Sequence, residues 1–173
     1  CDLHLMSFFK AYEFPVIFTR AANVFGPGQQ LYRLIPRIIL SCITEKPFFL
    51  HGNGSSIRSF IHINDVSDAL FKIIVKANIG TSWHISTNKQ ISIKELVEKI
   101  CIKFKKDPKI IVHHSEERLG KDQNYALDSL KLRKSLGWSD QISLEEGIDE
   151  TANWINKNLN QIQNMNWNYQ HKL

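Results

Sequence analysis

The chain of 173 residues is poor in cysteine, with three, and in glycine, with eight. Cys1, Cys42 and Cys101 are too few and too scattered for a disulfide framework, which excludes the small cross-linked secreted folds. Cys42 and Cys101 fall among apolar helix residues and read as buried thiols, so a cytoplasmic location is expected. The glycines nowhere form a Gly-x-x-Gly-x-x-Gly run, so a dinucleotide phosphate loop is not among these residues. No apolar stretch approaches the roughly 18 residues of a membrane helix, and Cys1-Asp2-Leu3-His4 lacks the pattern of a signal peptide. No membrane partner is therefore expected. His51, His62, His84, His113 and His114 show no zinc spacing and no paired cysteines, so no metal is expected. A Gly-x-Ser-x-Gly elbow is also missing, which leaves a serine hydrolase without support.

What the chain does have is an ordinary globular composition, 43% hydrophobic, and a net charge of +5. Much of the excess lies in Lys94, Lys99, Lys103, Lys105, Lys106 and Lys109, a run that reads as a solvated helix face. Without interleaved aromatics or a recognisable motif, no nucleic-acid partner is expected.

Periodicity predicts a mixed α/β chain. A helix without an N-cap covers Asp2 to Tyr12, and a strand covers Pro15 to Arg20. An amphipathic helix carries Leu34, Ile35, Ile38, Ile39 and Cys42. Strands are predicted at 48–51, 57–63, 81–86 and 109–113. Asp65 is the expected cap of the helix that follows the second of these, and Ser92 with Glu95 forms a capping box for the next. Asp128 should cap a short helix ending at Gly137, and Ser143 with Glu146 should open the last long helix. The Asn/Gln-rich stretch 161–173 reads as a loosely ordered tail.

The most informative segment is Arg20-Ala21-Ala22-Asn23-Val24-Phe25-Gly26-Pro27-Gly28-Gln29-Gln30. A short apolar strand runs into residues that tolerate unusual backbone angles, and ligands in open α/β sheets sit just beyond the carboxyl ends of strands. With Leu34-Ile35-Pro36, this segment resembles the "R-x-x-N-x-[YF]-G-P-x-Q…[KR]-L-I-P" stretch of the extended short-chain dehydrogenases that act on nucleotide sugars. Further matches follow in the same order: Lys46-Pro47…His51-Gly52-Asn53-Gly54, Ile57-Arg58-Ser59-Phe60-Ile61-His62-Ile63-Asn64-Asp65-Val66, Arg118-Leu119-Gly120-Lys121-Asp122, Tyr125-Ala126-Leu127-Asp128 and Leu136-Gly137-Trp138. The chain is most similar to the dTDP-glucose 4,6-dehydratases, from about Cys1 to about Asn158.

The resemblance implies the carboxyl-terminal part of a Rossmann-type fold, holding the last sheet strands and the small α/β substrate-binding domain. Residues 1–30 would end the dinucleotide-binding fold. Residues 31–160 would form mainly the nucleotide-sugar region, with some strands returning to the Rossmann sheet. The family's Tyr-x-x-x-Lys is absent, because Tyr12, Tyr32 and Tyr125 are followed four positions on by Val16, Pro36 and Ser129. No catalytic residue is therefore expected here, and the fragment alone should be inactive. The implied cofactor is NAD, with Val24 against the nicotinamide. The implied partner is a nucleoside diphosphate sugar, and the full-length enzyme should be a homodimer to which Leu5, Phe8 and Phe9 could contribute.

The implied substrate contacts are Asn23, Arg33, Leu34, Phe49, Leu50, His51, Arg58, Glu117, Arg118, Leu119, Gly120 and Lys121. Arg58 and Arg118 would clamp the diphosphate, which suits a guanidinium fork better than an ammonium. Phe49 could stack on a pyrimidine. His51 stands where the dehydratases often carry tyrosine, Leu119 replaces a proline, Lys121 a histidine, and Ile93 falls where an asparagine often contacts the nucleotide. The expected activity is a nucleotide-sugar 4,6-dehydratase. A related epimerase, decarboxylase or reductase, or a non-catalytic sugar-nucleotide-binding protein, remains an alternative.

Overall fold

The computed structural model describes residues 1–117, 120 and 122–169. Its elements in chain order are α1 (Asp2–Tyr12), β1 (Phe18–Ala21), β2 (Asn23–Phe25), α2 (Leu34–Thr44), β3 (Phe48–His51), β4 (Ile57–Arg58), β5 (Phe60–His62) and α3 (Ile63–Lys76). They continue with β6 (Ser82–Ile85), β7 (Ile91–Ser92), α4 (Ile93–Lys103), α5 (Pro108–Ile111), β8 (Val112–Ser115), β9 (Asn124–Tyr125), α6 (Leu130–Leu136), α7 (Leu144–Lys157) and α8 (Leu159–Ile162). The chain divides into two interleaved units, one of Cys1–Val24, Ser59–Gln90 and Ala126–Ser143, the other of Phe25–Arg58, Ile91–Tyr125 and Leu144–Leu173.

In the first unit, β1 and β6 run parallel, from Phe18 opposite Ser82 to Ala21 opposite Ile85. α3 supplies the crossover that such a pair requires. Its buried Val66, Ala69 and Ile73 join Ile61, Trp83, Ile85, Leu132 and Trp138 in one core. The predicted cap of this helix is corrected. His62 is the N-cap, and its Nδ1 accepts from the Asn64 N–H at 3.4 Å. Asp65 is buried one turn in, where its carboxylate accepts from the N–H groups of Gln141 at 2.9 Å and Ile142 at 3.1 Å. Trp138 Nε1 donates to the Asp65 carbonyl at 3.2 Å. A carboxylate that would merely solvate at a helix end instead pins a loop 76 residues away. α6 ends on Gly137 at φ 61°, as expected, and the Asp128 carboxylate accepts from the Leu130 N–H at 2.8 Å.

The second unit is built on α2, α4 and α7, whose buried faces include Ile35, Ile38, Leu96, Ile100, Ile148 and Ile155. The capping box of α4 forms as the sequence predicts, with Ser92 Oγ accepting from the Glu95 N–H at 3.1 Å and Glu95 accepting in return from the Ser92 N–H at 3.0 Å. Cys42 of α2 and Cys101 of α4 are buried thiols with sulfurs 3.9 Å apart, and the hydrogen bond between them, with burial, pushes the Cys42 thiol up. The strand expected at 109–113 begins later. Asp107 caps the single turn α5, with Pro108 at its start, before β8 follows.

β3 and β8 pair in parallel, and β4 lies between β7, antiparallel, and β9, parallel. The stretch expected to be a loose tail packs as far as Tyr169: Ile162 and Trp167 are buried. The Trp167 ring lies beneath Lys46 Nζ at 4.6 Å and the Arg37 guanidinium at 5.3 Å. The aromatic payload of this segment outweighs its polar composition.

Candidate functional site

In the first unit, Asn23 bonds one acceptor twice. Its backbone N–H and its side-chain Nδ2 reach the Ser59 carbonyl at 3.1 and 3.0 Å. That leaves the amide oxygen and the second Nδ2 hydrogen of the side chain. Val24 is half-buried and packs against the core of that unit.

The second unit contains the other implied substrate residues. β4 ends on Arg58, and the registers set Arg58 opposite Ile91 on one side and Tyr125 on the other. The guanidinium is half-buried, with Nη1 donating to the Ile57 carbonyl and Nη2 to the Asp122 carbonyl, each at 2.7 Å. Asp122 follows directly on the motif residues 118–121 in sequence, so one strand end delivers an arginine to the residue after that motif. A guanidinium has five N–H donors, and two bonds to carbonyls leave the others for phosphate oxygens. Arg118, Leu119 and Lys121 lie outside the described residues. Gly120 is exposed, with φ 73°.

Glu117 reaches back to the turn after β3, where Gly52 has φ 63° and a Cβ would overlap the Glu117 carboxylate. Two residues on, Gly54 has φ 71°, and a Cβ there would come within 3.0 Å of the Lys94 backbone nitrogen. That nitrogen donates to the Gly54 carbonyl at 2.9 Å. Glycine here lets the turn close against the start of α4.

Along β3 the burial alternates: Phe48 and Leu50 are each 5% exposed, while Phe49 is 59% exposed and His51 is also exposed. The Leu50 side chain is therefore core, and its carbonyl accepts from Ser115 Oγ at 3.4 Å. Across the register, His113 stands beside Phe49 with ring centroids 5.8 Å apart, and Ser115 Oγ lies 3.0 Å from His51 Nδ1. On the opposite side His114 Nδ1 meets the Gly52 carbonyl at 2.8 Å. The sequence does not single out His113, Ser115 or Tyr125, which the registers set beside Phe49, His51 and Arg58. A cross-strand register is non-local, and the only signal in the sequence is the polar run His113-His114-Ser115 interrupting an apolar strand.

Arg33 is the N-cap residue of α2 and lies exposed, its guanidinium 5.3 Å from the Tyr32 ring, while Leu34 is half-buried. Tyr169 meets Tyr32 edge-on at 5.2 Å. Among the described residues, no cluster of three or more His, Cys, Asp or Glu could hold a metal ion, and no helix is long and apolar enough to cross a membrane.

A trifunctional UDP-glucose 4,6-dehydratase/UDP-4-keto-6-deoxy-D-glucose 3,5-epimerase/UDP-4-keto-L-rhamnose-reductase of Arabidopsis thaliana is 35% identical over 91% of this chain and 23% of its own length. The dTDP-D-glucose 4,6-dehydratase of Mus musculus is 30% identical over 94% of this chain and 47% of its own. Among solved structures, the dTDP-glucose 4,6-dehydratase DesIV of Streptomyces venezuelae, crystallised with NAD bound, superposes with a TM-score of 0.88 at 26% identity, covering 92% of this chain and 49% of that one. The chain thus spans about half the length of the dTDP-glucose dehydratases it matches and about a quarter of the trifunctional plant enzyme. Residues 1–151 match the GDP-mannose 4,6 dehydratase family, and with the strand-end arginine, the glycine turn and the parallel β1–β6 pair in place, this chain belongs to that family of epimerases and dehydratases.

Proposed function

We propose that this chain supplies the substrate-binding half of an NAD-dependent nucleotide-sugar 4,6-dehydratase acting on a dTDP-glucose-like substrate. The observation that carries the reading is Arg58, seated at the end of β4 with its guanidinium bonded to the carbonyl of Asp122, the residue that follows the 118–121 motif in sequence. From there it would take the diphosphate, with Arg118, Gly120 and Lys121 closing from the loop. Arg33 and Leu34 would cover the sugar, and Phe49, Leu50 and His51 would receive the base. Asn23 would offer its amide oxygen to a substrate hydroxyl.

The first unit reads as the end of the dinucleotide fold and the second as the main nucleotide-sugar region. Val24 suits the nicotinamide because it is apolar and half-buried just past a parallel strand. When bound, NAD supplies the acceptor and later the donor of a hydride. The Gly-rich loop and the Tyr-x-x-x-Lys pair lie outside these residues, so the chain alone should not turn over substrate. A cytoplasmic homodimer completes the reading. None of the α1 side chains is buried, and Phe8 stacks outward between His4 and Tyr12. Phe9 is directed instead against Gly80 of its own unit, which leaves Leu5 and Phe8, with Tyr12 on the same side of the helix, as the pairing face.

Calorimetric titration with UDP and dTDP tests this reading. The unaltered chain should bind both, and Arg58→Ala should weaken binding by about 2 kcal/mol. Arg58→Lys should rescue little, because an ammonium cannot bridge two oxygens. Equal binding by the Ala variant, with an unchanged thermal melt, overturns the role of Arg58.

A further inference from the structure

We infer that His113 of β8 is a base-positioning residue, forming with Phe49 the shelf on which the nucleobase stacks, while His51 presents the polar edge. This rests on the nucleotide-sugar reading and deepens it. Isolated exposed phenyl groups are common on protein surfaces. Phe49 is not isolated: its cross-strand neighbour is an imidazole with its ring centroid 5.8 Å away and tilted by 40°. The next rung toward the loop is His51 opposite Ser115, joined by a 3.0 Å contact at Nδ1.

One exposed face of a two-stranded parallel ribbon is therefore aromatic at one rung and hydrogen-bonding at the next. A nucleobase has the matching form, a π-face and a polar edge, and base recognition by aromatic and histidine rings uses both. The Ser115 hydroxyl occupies His51 Nδ1, which sets the ring and leaves Nε2 for the polar edge of a base. Beyond His51 the chain enters the Gly52 turn beneath Glu117, so the shelf leads directly to the start of the nucleotide loop. Both His113 and Phe49 are exposed, so neither is needed to fill the core.

The experiment compares three probes, dTDP, UDP and inorganic pyrophosphate, by calorimetry on the unaltered chain and on His113→Ala, His113→Phe and Phe49→Ala. His113→Ala and Phe49→Ala should each weaken dTDP and UDP binding by about tenfold and leave pyrophosphate affinity unchanged. His113→Phe should retain nucleotide affinity, since a ring remains. A His113→Ala variant that binds dTDP and UDP within twofold of the unaltered chain overturns the shelf while the nucleotide reading stands. An unaltered chain that binds none of the three probes overturns the reading itself. A loss of pyrophosphate affinity equal to that of dTDP would assign His113 to the phosphates and also sink the proposal.

Discussion

The two units use their polar side chains in opposite ways. In the first, polar groups turn inward. Asp65 holds Gln141 and Ile142, Ser129 Oγ donates to the Ser86 carbonyl at 2.8 Å, and Arg133 joins that carbonyl to Asp140. In the second, the interior is mainly aliphatic, with two thiols, the small hydroxyls of Ser41, Ser56 and Thr151 and a few rings, while Phe49 and His113 lie exposed on β3 and β8. Buried hydrogen-bonded carboxylates make a unit rigid, because leaving one partner unsatisfied costs far more than an average bond contributes. Exposed rings and a partly engaged arginine do little for stability and are available for a ligand. Under the proposed function most of the recognition surface would fall in the second unit, with Asn23 and Val24 the first unit's share.

The largest test of this contrast lies in the first unit. Trp138 is 2% exposed and bonds the Asp65 carbonyl, so Trp138→Ala should cost about 4 kcal/mol in urea unfolding. The exposed shelf ring, Phe49→Ala, should by contrast leave the midpoint almost unmoved. A comparable loss at Phe49 would break the comparison.

A second test sharpens it within the glycine turn. Both glycines have positive φ, but Gly54 faces backbone whereas Gly52 faces the end of the flexible Glu117 side chain. Gly54→Ala should therefore cost about 2 kcal/mol and Gly52→Ala about 1 kcal/mol, read from thermal melts.

The smallest expected effect concerns acid. Burial pushes the Asp140 carboxyl up, but hydrogen bonds from Arg133 and Thr87, with the Arg133 charge, outweigh it and hold the group below its ordinary value. A carboxyl lowered in the folded state contributes stability above the ordinary carboxylate range, and that contribution fades as pH falls through the folded value. Asp140→Asn should lose about 1 kcal/mol at neutral pH and nothing once the carboxyl is protonated in both states. Urea midpoints measured at neutral and strongly acidic pH check the sign.

Much of the fold was legible because its cues are local. The Ser92–Glu95 box and the Gly137 stop each depend on residues within a few positions, and both form as read. Misreadings arose where distant partners decided. Asp65 has the right chemistry for a cap, yet its partners are Gln141 and Ile142, which no local window contains. The β-branched run Ile110-Ile111-Val112 suggested an early strand, but Asp107 and Pro108 were the stronger local instruction. The site divides in the same way. The proposed part of Arg58 is read from its motif, whereas that of His113 depends on the pairing of β3 with β8, a relation set only when the chain folds.

The lysine-rich helix α4 carries a last consequence. Lys99 and Lys103 are seated on Glu145 and Asp149 of α7, and Lys106 on Glu45 at the end of α2. To a diffusing anion, that side of the protein is a row of dipoles rather than a positive sheet, and such a field fades within a Debye length, about 8 Å at physiological salt. Capture of a charged metabolite then depends on contact geometry rather than long-range guidance, and its on-rate should respond only weakly to ionic strength.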